Sequence, residues 1–156
     1  MTPQEQRAYC LSVMKTSPVC HLATINEAGF PEIRALFNLK NGKTFPALKK
    51  MMERHDGDYT VILGTNTSSV KVKQVAREPK VSVYFCNTDA FQGVMLTGSM
   101  EIVTDSTLKR ELWQPGWEMY YPRGVDDPDF TVLRLTPDRV KAYGSLSTFS
   151  ITRETV

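Results

Sequence analysis

The chain has 156 residues, with 19 Lys and Arg against 17 Asp and Glu, a formal excess of +2, and 41% hydrophobic residues. That length suits a single domain spanning 1–156 with enough mass to bury a core. Balanced charge without a basic block interleaved with aromatics gives nucleic-acid binding no support, no apolar run approaches a membrane span, and the first residues lack the basic-then-apolar order of a signal peptide, so a cytoplasmic protein is expected.

From the N-terminus, Thr2-Pro3-Gln4-Glu5 is a capping box with proline at the first helical position, opening a helix to about residue 15. Ala8, Leu11 and Met14 give it a partial apolar stripe, as for a lid over one end of a sheet. Val19–Ile25 reads as a strand, 26–31 as a turn and 31–39 as the returning strand of a hairpin. Arg34 lies in that second strand among apolar neighbours, where it needs an anionic partner or a route to solvent; an arginine pointing outward at a sheet edge fits equally. Asn41-Gly42-Lys43 makes a turn, and Phe45-Pro46 opens a short helix on which Leu48, Met51, Met52 and His55 share a face, an arrangement for packing with His55 at the helix end. Cys10, Cys20 and Cys86 are odd in number and form no CxxC pair. Cys20 and His21 are adjacent on a strand and face opposite ways, so buried, reduced thiols are expected.

Residues 59–85 carry the densest signal: strand, polar turn, helix, strand. Tyr59, Val61 and Leu63 alternate, Gly64-Thr65-Asn66-Thr67-Ser68-Ser69 is a turn, and Val72, Val75 and Ala76 mark a helix stopped by Pro79 before a β-rich run at 80–85. The unpaired amides of the helix start, its positive dipole end and Lys71 make an anion site with phosphate as the candidate. An ordinary cap at Thr67 or Ser68 with Lys71 as a solvated charge is the plainer reading. Lys71 falls at the edge of the apolar stripe, so its ammonium can curl back towards the cap.

Further on, 94–103 alternates cleanly: Val94, Leu96, Met100 and Ile102 on one side, Thr97, Ser99 and Glu101 on the other. One apolar and one wet face imply an antiparallel barrel or sandwich. Asp105 or Ser106 caps a helix through Leu112. A Pro- and Gly-rich stretch with Trp113, Trp117, Tyr120 and Tyr121 follows; it suits a wall for a planar ring, an interface plug, or a loop anchored by its own aromatics. After Asp126-Asp127-Pro128-Asp129 come strands at 130–138 and Arg139–Gly144, and 146–156 reads as a polar tail.

The order Thr65-Asn66-x-x-Ser69-x-Lys71, then Gln74-Val75 and Pro79-Lys80-Val81-Ser82, resembles the pyridoxamine 5'-phosphate oxidase family of FMN-binding split barrels, with Val70 where that pattern has arginine. Val94-Met95-Leu96-Thr97-Gly98 and the Leu112-Trp113 to Asp129 segment are similar to the family's general-stress-protein branch, and the matches span about 19–144. The resemblance implies a mainly β fold with flanking helices, a six-stranded antiparallel Greek-key split barrel. It implies that Arg34, Ser69 and Lys71 hold an FMN phosphate, that Ala35, Leu36 and Thr65 line the flavin edge, and that Gln92 and Trp113 or Trp117 face the flavin of a second protomer in a homodimer. The family's vitamin-converting members carry an Arg-x-His pair near their C-terminus; no histidine follows His55 here, so pyridoxamine-phosphate oxidation is disfavoured. Two functions remain: an FMN-dependent oxidoreductase acting on a small molecule, or a non-catalytic stress-response module holding a flavin, haem or deazaflavin.

Overall fold

A computed structural model describes residues 1–153. Six antiparallel strands follow one path in the order β2 (Pro31–Phe37), β1 (Val19–Ile25), β4 (Lys80–Asn87), β5 (Gln92–Val103), β6 (Phe130–Leu135) and β3 (Val61–Asn66). This is the expected six-stranded barrel. β2 and β3, the two ends of the path, are not paired with each other, so the barrel is split along that seam. A hairpin of β7 (Arg139–Gly144) and β8 (Ser147–Thr152) branches from β5. β8 lies where a polar tail was expected; Phe149 and Ile151 alternate with hydroxyl residues and pack on the core, which is reason enough for a strand.

β5 is the strand on which the fold turns. Its first half pairs with β4 and β7, and residues 100–103 then pair with β6. The crossing happens at Gly98, where an added Cβ would stand 3.2 Å from the Asp138 amide nitrogen and 3.1 Å from Leu135 Cδ1, a tight fit that would require those neighbours to give by a few tenths of an ångström.

The helix α1 (Pro3–Thr16) starts at the predicted capping box, with Glu5 N donating to Thr2 Oγ1 at 3.2 Å and Thr2 N to Glu5 Oε2 at 2.6 Å. Its buried face is Cys10, Val13 and Met14, while Ala8 is exposed and Leu11 half-buried. The stripe is therefore rotated from the expected one, because the helix closes the barrel against β4 and β5 with the residues that face Leu22, Val83 and Phe85. Burial pushes the Cys10 thiol up to about 11 and the Cys20 thiol up to about 12, as fits inert core thiols; Cys86 is half-exposed.

A second core lies beside the first. Leu39, Leu48, Met52, Ile62, Leu112, Trp117, Tyr121 and Phe130 meet beneath the aromatic loop that follows α4 (Ser106–Leu112). β3 separates the two cores: Val61 and Leu63 point into the barrel and Ile62 into the second cluster, so both of its faces are dry. The helix α3 (Val70–Arg77) buries Val72 and Val75 as expected, but Gln74 takes the place predicted for Ala76, which is exposed. The 3-10 turn Pro46–Leu48 leads into α2 (Lys49–Glu53), and His55 lies just past it. Among the described residues no helix is long and apolar enough to cross a membrane.

Candidate functional site

The seam between β2 and β3 opens into a cleft of about 320 Å³. Ala35, Leu36 and Phe37 of β2 line one side, Gly64, Thr65 and Asn66 of β3 the other. Lys71 reaches in from α3, and Trp117, Tyr120 and Tyr121 form an aromatic wall. A pocket with apolar walls and a few convergent polar groups is the usual form of a small-molecule site.

The polar end of the cleft is built by the turn before α3. Asp129 holds that turn: it accepts from Asn66 Nδ2 at 2.7 Å and from the Ser68 amide at 2.7 Å, and its carbonyl accepts from the Thr67 amide at 2.7 Å. These hydrogen bonds keep the Asp129 carboxyl below its ordinary value, the one from Asn66 contributing most. The cap falls on Ser69, one residue past the predicted Thr67 or Ser68, yet its hydroxyl makes no capping bond. Ser69 Oγ is buried and has no hydrogen-bond partner. Two residues on, Lys71 Nζ donates to Thr65 Oγ1 at 3.1 Å, curled back onto the strand end, and it has no carboxylate within ion-pair distance among the described residues. Partial burial lowers its pKa, and the positive charge of Arg34 lowers it further.

Arg34 stands behind the cleft. Its Nη1 donates to Thr24 Oγ1 at 2.6 Å and to the Leu22 carbonyl at 3.2 Å, its Nη2 to Gln74 Oε1 at 3.2 Å, and Glu32 lies 3.6 Å away. Thr24 Oγ1 donates to the same Gln74 oxygen at 2.5 Å, and Gln74 Nε2 donates to Glu32 at 2.9 Å. The arginine is thus turned inward, and of the two arrangements open to it the outward one is not adopted. Desolvation lowers its pKa against the opposing pull of Glu32.

The structure therefore brings Ala35, Leu36, Thr65 and Lys71 to the lining of one cleft; Ser69, at the cap of the helix that carries Lys71, and Arg34, bonded to Thr24 and Gln74, lie outside that lining. It does not bring Gln92 or Trp113 there. Gln92 opens β5 opposite Asn87, and Trp113 packs edge-on against Trp117 and Phe130, with centroids 6.0 and 5.4 Å apart. Trp117 takes the wall position instead. Thr24, Gln74 and Asp129 went unassigned by sequence reasoning. Gln74 stood in the quoted motif and Asp129 in the acidic run, but nothing local says which distant group each one meets. Among the described residues no group of three or more His, Cys, Asp or Glu could hold a metal ion.

The fold and site together define a split barrel with an aromatic-walled cleft at its seam and a helix start beside it. The chain belongs to the pyridoxamine 5'-phosphate oxidase family, whose model matches residues 8–144. Among solved structures it is similar to a protein of Clostridium acetobutylicum related to general stress protein 26 of the pyridoxinephosphate oxidase family, at 32% identity over 96% of this chain and 95% of that one, TM-score 0.76. It shares its fold with general stress protein 26 of Bacillus anthracis (14% identity, 94% and 99% covered, TM-score 0.69). The same holds for a heme binding protein of Mycobacterium smegmatis (18% identity, 94% and 57% covered, TM-score 0.66). No curated protein matches the chain.

Proposed function

We propose that this protein is an FMN-binding flavoprotein acting as an oxidoreductase on a small molecule, with the cofactor seated in the cleft between β2 and β3. The observation that carries the reading is Ser69 Oγ, buried and unpartnered, two residues from an ammonium that meets a hydroxyl but no carboxylate. A hydroxyl and a cation taken out of water both gain from an anion between them. The residues fit a phosphate: Ser69, Lys71 and the first amides of α3 would hold it, and Arg34 would add positive field from behind. Ala35, Leu36 and Thr65 would lie along the flavin edge, with Trp117 and Tyr120 as aromatic walls. When bound, FMN supplies hydride and single-electron transfer. The chain's own residues bind it, orient it and keep water from its face.

Family membership supports this reading, and so does the make-up of the cleft. Haem would need an axial donor; the cleft lining offers no histidine, cysteine or methionine, and Tyr120 and Tyr121 are the lining residues of a type that ligates haem iron. The non-catalytic module remains the second reading, since no side chain in the cleft is a ready general base.

We further propose a homodimer. β2 is an edge strand whose outer face shows Ile33, Ala35 and Phe37 to solvent, with Ile33 69% exposed. An apolar edge beside a site is what a second copy would cover. Gln92 would then approach the partner's cleft.

The absorbance spectrum of the purified protein, with mass identification of what it releases on denaturation, tests the cofactor. Flavin bands, or their appearance on titration with FMN, support the reading; a colourless protein that refuses FMN overturns it. Bleaching by NAD(P)H without oxygen distinguishes an oxidoreductase from a passive module.

A further inference from the structure

On the far side of the segment that leaves β2 is a second concavity. Leu39 lines the aromatic cleft's wall, and its neighbour Lys40 lines a cavity of about 370 Å³ with Lys15, Gly42, Lys43, Lys49, Met52 and Glu53. Three segments supply its lysines: the end of α1, the loop after β2 and the start of α2.

The charges there do not balance. Lys40 is 7% exposed, and its ammonium donates to Asp56 Oδ1 at 2.8 Å and to the Met52 carbonyl at 3.3 Å. The other oxygen of Asp56 accepts from Lys15 at 2.5 Å. One carboxylate is thus shared by two ammonium groups, one of them buried. Lys43 and Lys49 add two further positive charges, and neither has a carboxylate within ion-pair distance among the described residues. Counting Glu53, Asp56 and Asp58, whose charge also acts on Lys40, against the four lysines leaves 4 − 3 = +1.

Like charges gathered around a concave space repel one another unless an anion sits among them, and lysine binds phosphate as a point charge that needs no fixed fork geometry. We propose that this lysine cavity is a second anion site, taking a doubly charged phosphate group, free or as the monoester of a small metabolite. It is separate from the cleft between β2 and β3 and does not rest on the flavin reading.

The test is a titration of the isotopically labelled protein with inorganic phosphate, and separately with glycerol phosphate, at constant ionic strength, followed by amide NMR shifts. Saturable shifts clustered at residues 40–53 are expected, and they should weaken about tenfold in the exposed-residue double variant Lys43→Ala/Lys49→Ala. The same shifts should persist in Lys71→Ala, which removes the ammonium of the other candidate phosphate site. Saturation by both probes assigns the site to the phosphate group itself; saturation by glycerol phosphate alone assigns it to esters. Shifts confined to residues 65–74 or abolished by Lys71→Ala, or a double variant that titrates like the parent, overturn the proposal. Lys40→Met is avoided because it would strand Asp56.

Discussion

Arg34 Nη2 donates at 3.2 Å to Gln74 Oε1, tying an edge strand of the barrel to the middle of α3. Thr24 Oγ1 donates to the same oxygen, so one side-chain amide gathers β1, β2 and α3 into a single arrangement. The position of the α3 start, and with it of Ser69 and Lys71, depends on that junction. Arg34 has two separable parts, its charge and its fork. Arg34→Lys keeps the charge and loses the two-sided contact, and is expected to cost about 1–2 kcal/mol in urea unfolding while preserving the preference for FMN over riboflavin. Arg34→Ala should lose that preference as well. Equal loss of both ligands in the two variants would make Arg34 a support for the fold alone.

Lys71 gives the sharper test, because its ammonium donates to Thr65 Oγ1 and pairs with no carboxylate among the described residues, so its removal strands no counter-charge. Lys71→Ala should weaken FMN binding about tenfold or more, as for a charge-assisted hydrogen bond, and leave riboflavin, which lacks the phosphate, nearly unchanged. Ser69→Ala should act in the same direction and less strongly. It should also leave the apo protein as stable as the parent or more so, since an unpartnered buried hydroxyl is removed. Fluorescence quenching titrations of FMN and riboflavin against each variant measure the ratio directly.

These residues differ in how far the sequence reveals them. The α1 cap, β1, and the curl of Lys71 back onto the strand end are local events, set by residues within a few positions of one another, and local pattern suffices; the start of α3, held from Asp129, falls one residue past the expected cap. Gln74 is different. Its environment comes from Thr24, Glu32 and Arg34, some 40 to 50 residues earlier, and only strand register brings them together. Asp129 likewise fixes a turn about 60 residues before it. The rotation of the α1 stripe has the same origin, for which face is buried depends on what it covers. β8 stands apart: Phe149 and Ile151 do alternate with polar residues, and the signal was masked by the hydroxyl content of the segment.

Ile33 tests the assembly. It projects from the edge strand beside Arg34 and Ala35 and touches no core cluster. Ile33→Glu should leave the unfolding midpoint of the protomer within about 0.5 kcal/mol of the parent, as for a surface change, while shifting the species seen by light scattering from dimer to monomer. FMN affinity should fall with it if the second copy completes the cleft. A parent protein that is monomeric at concentrations where it binds FMN fully would remove the dimer from the reading and leave the phosphate clamp intact.

Asp56 carries the clearest pH dependence. Desolvation raises its pKa, but hydrogen bonds from Lys15 and Lys40 and their charges outweigh it, and the net shift is downward. Lys40 also falls, because burial disfavours its charge more than Asp56 restores it. A carboxyl whose folded pKa lies below its unfolded value near about 3.9 contributes stability that is fully present above that value and is lost as pH falls through the folded one. Asp129, lowered by its hydrogen bonds from Asn66 and Ser68, has the same sign. The contribution of these two carboxyl groups to stability in urea should therefore be flat above about pH 5 and decline below about pH 4; His55, held down by burial and then by the charge of Lys40, adds a loss that begins as pH falls below about 6.5. Asp56→Asn leaves Lys40 buried without its counter-charge, and is expected to cost about 2–4 kcal/mol at pH 7 and to flatten the acid decline. Adding Lys40→Met to that variant should recover part of the loss, since the stranded ammonium is then gone. A single variant that unfolds at the parent's urea midpoint would mean that the two lysines are held by their carbonyl and solvent contacts, and not by the carboxylate between them.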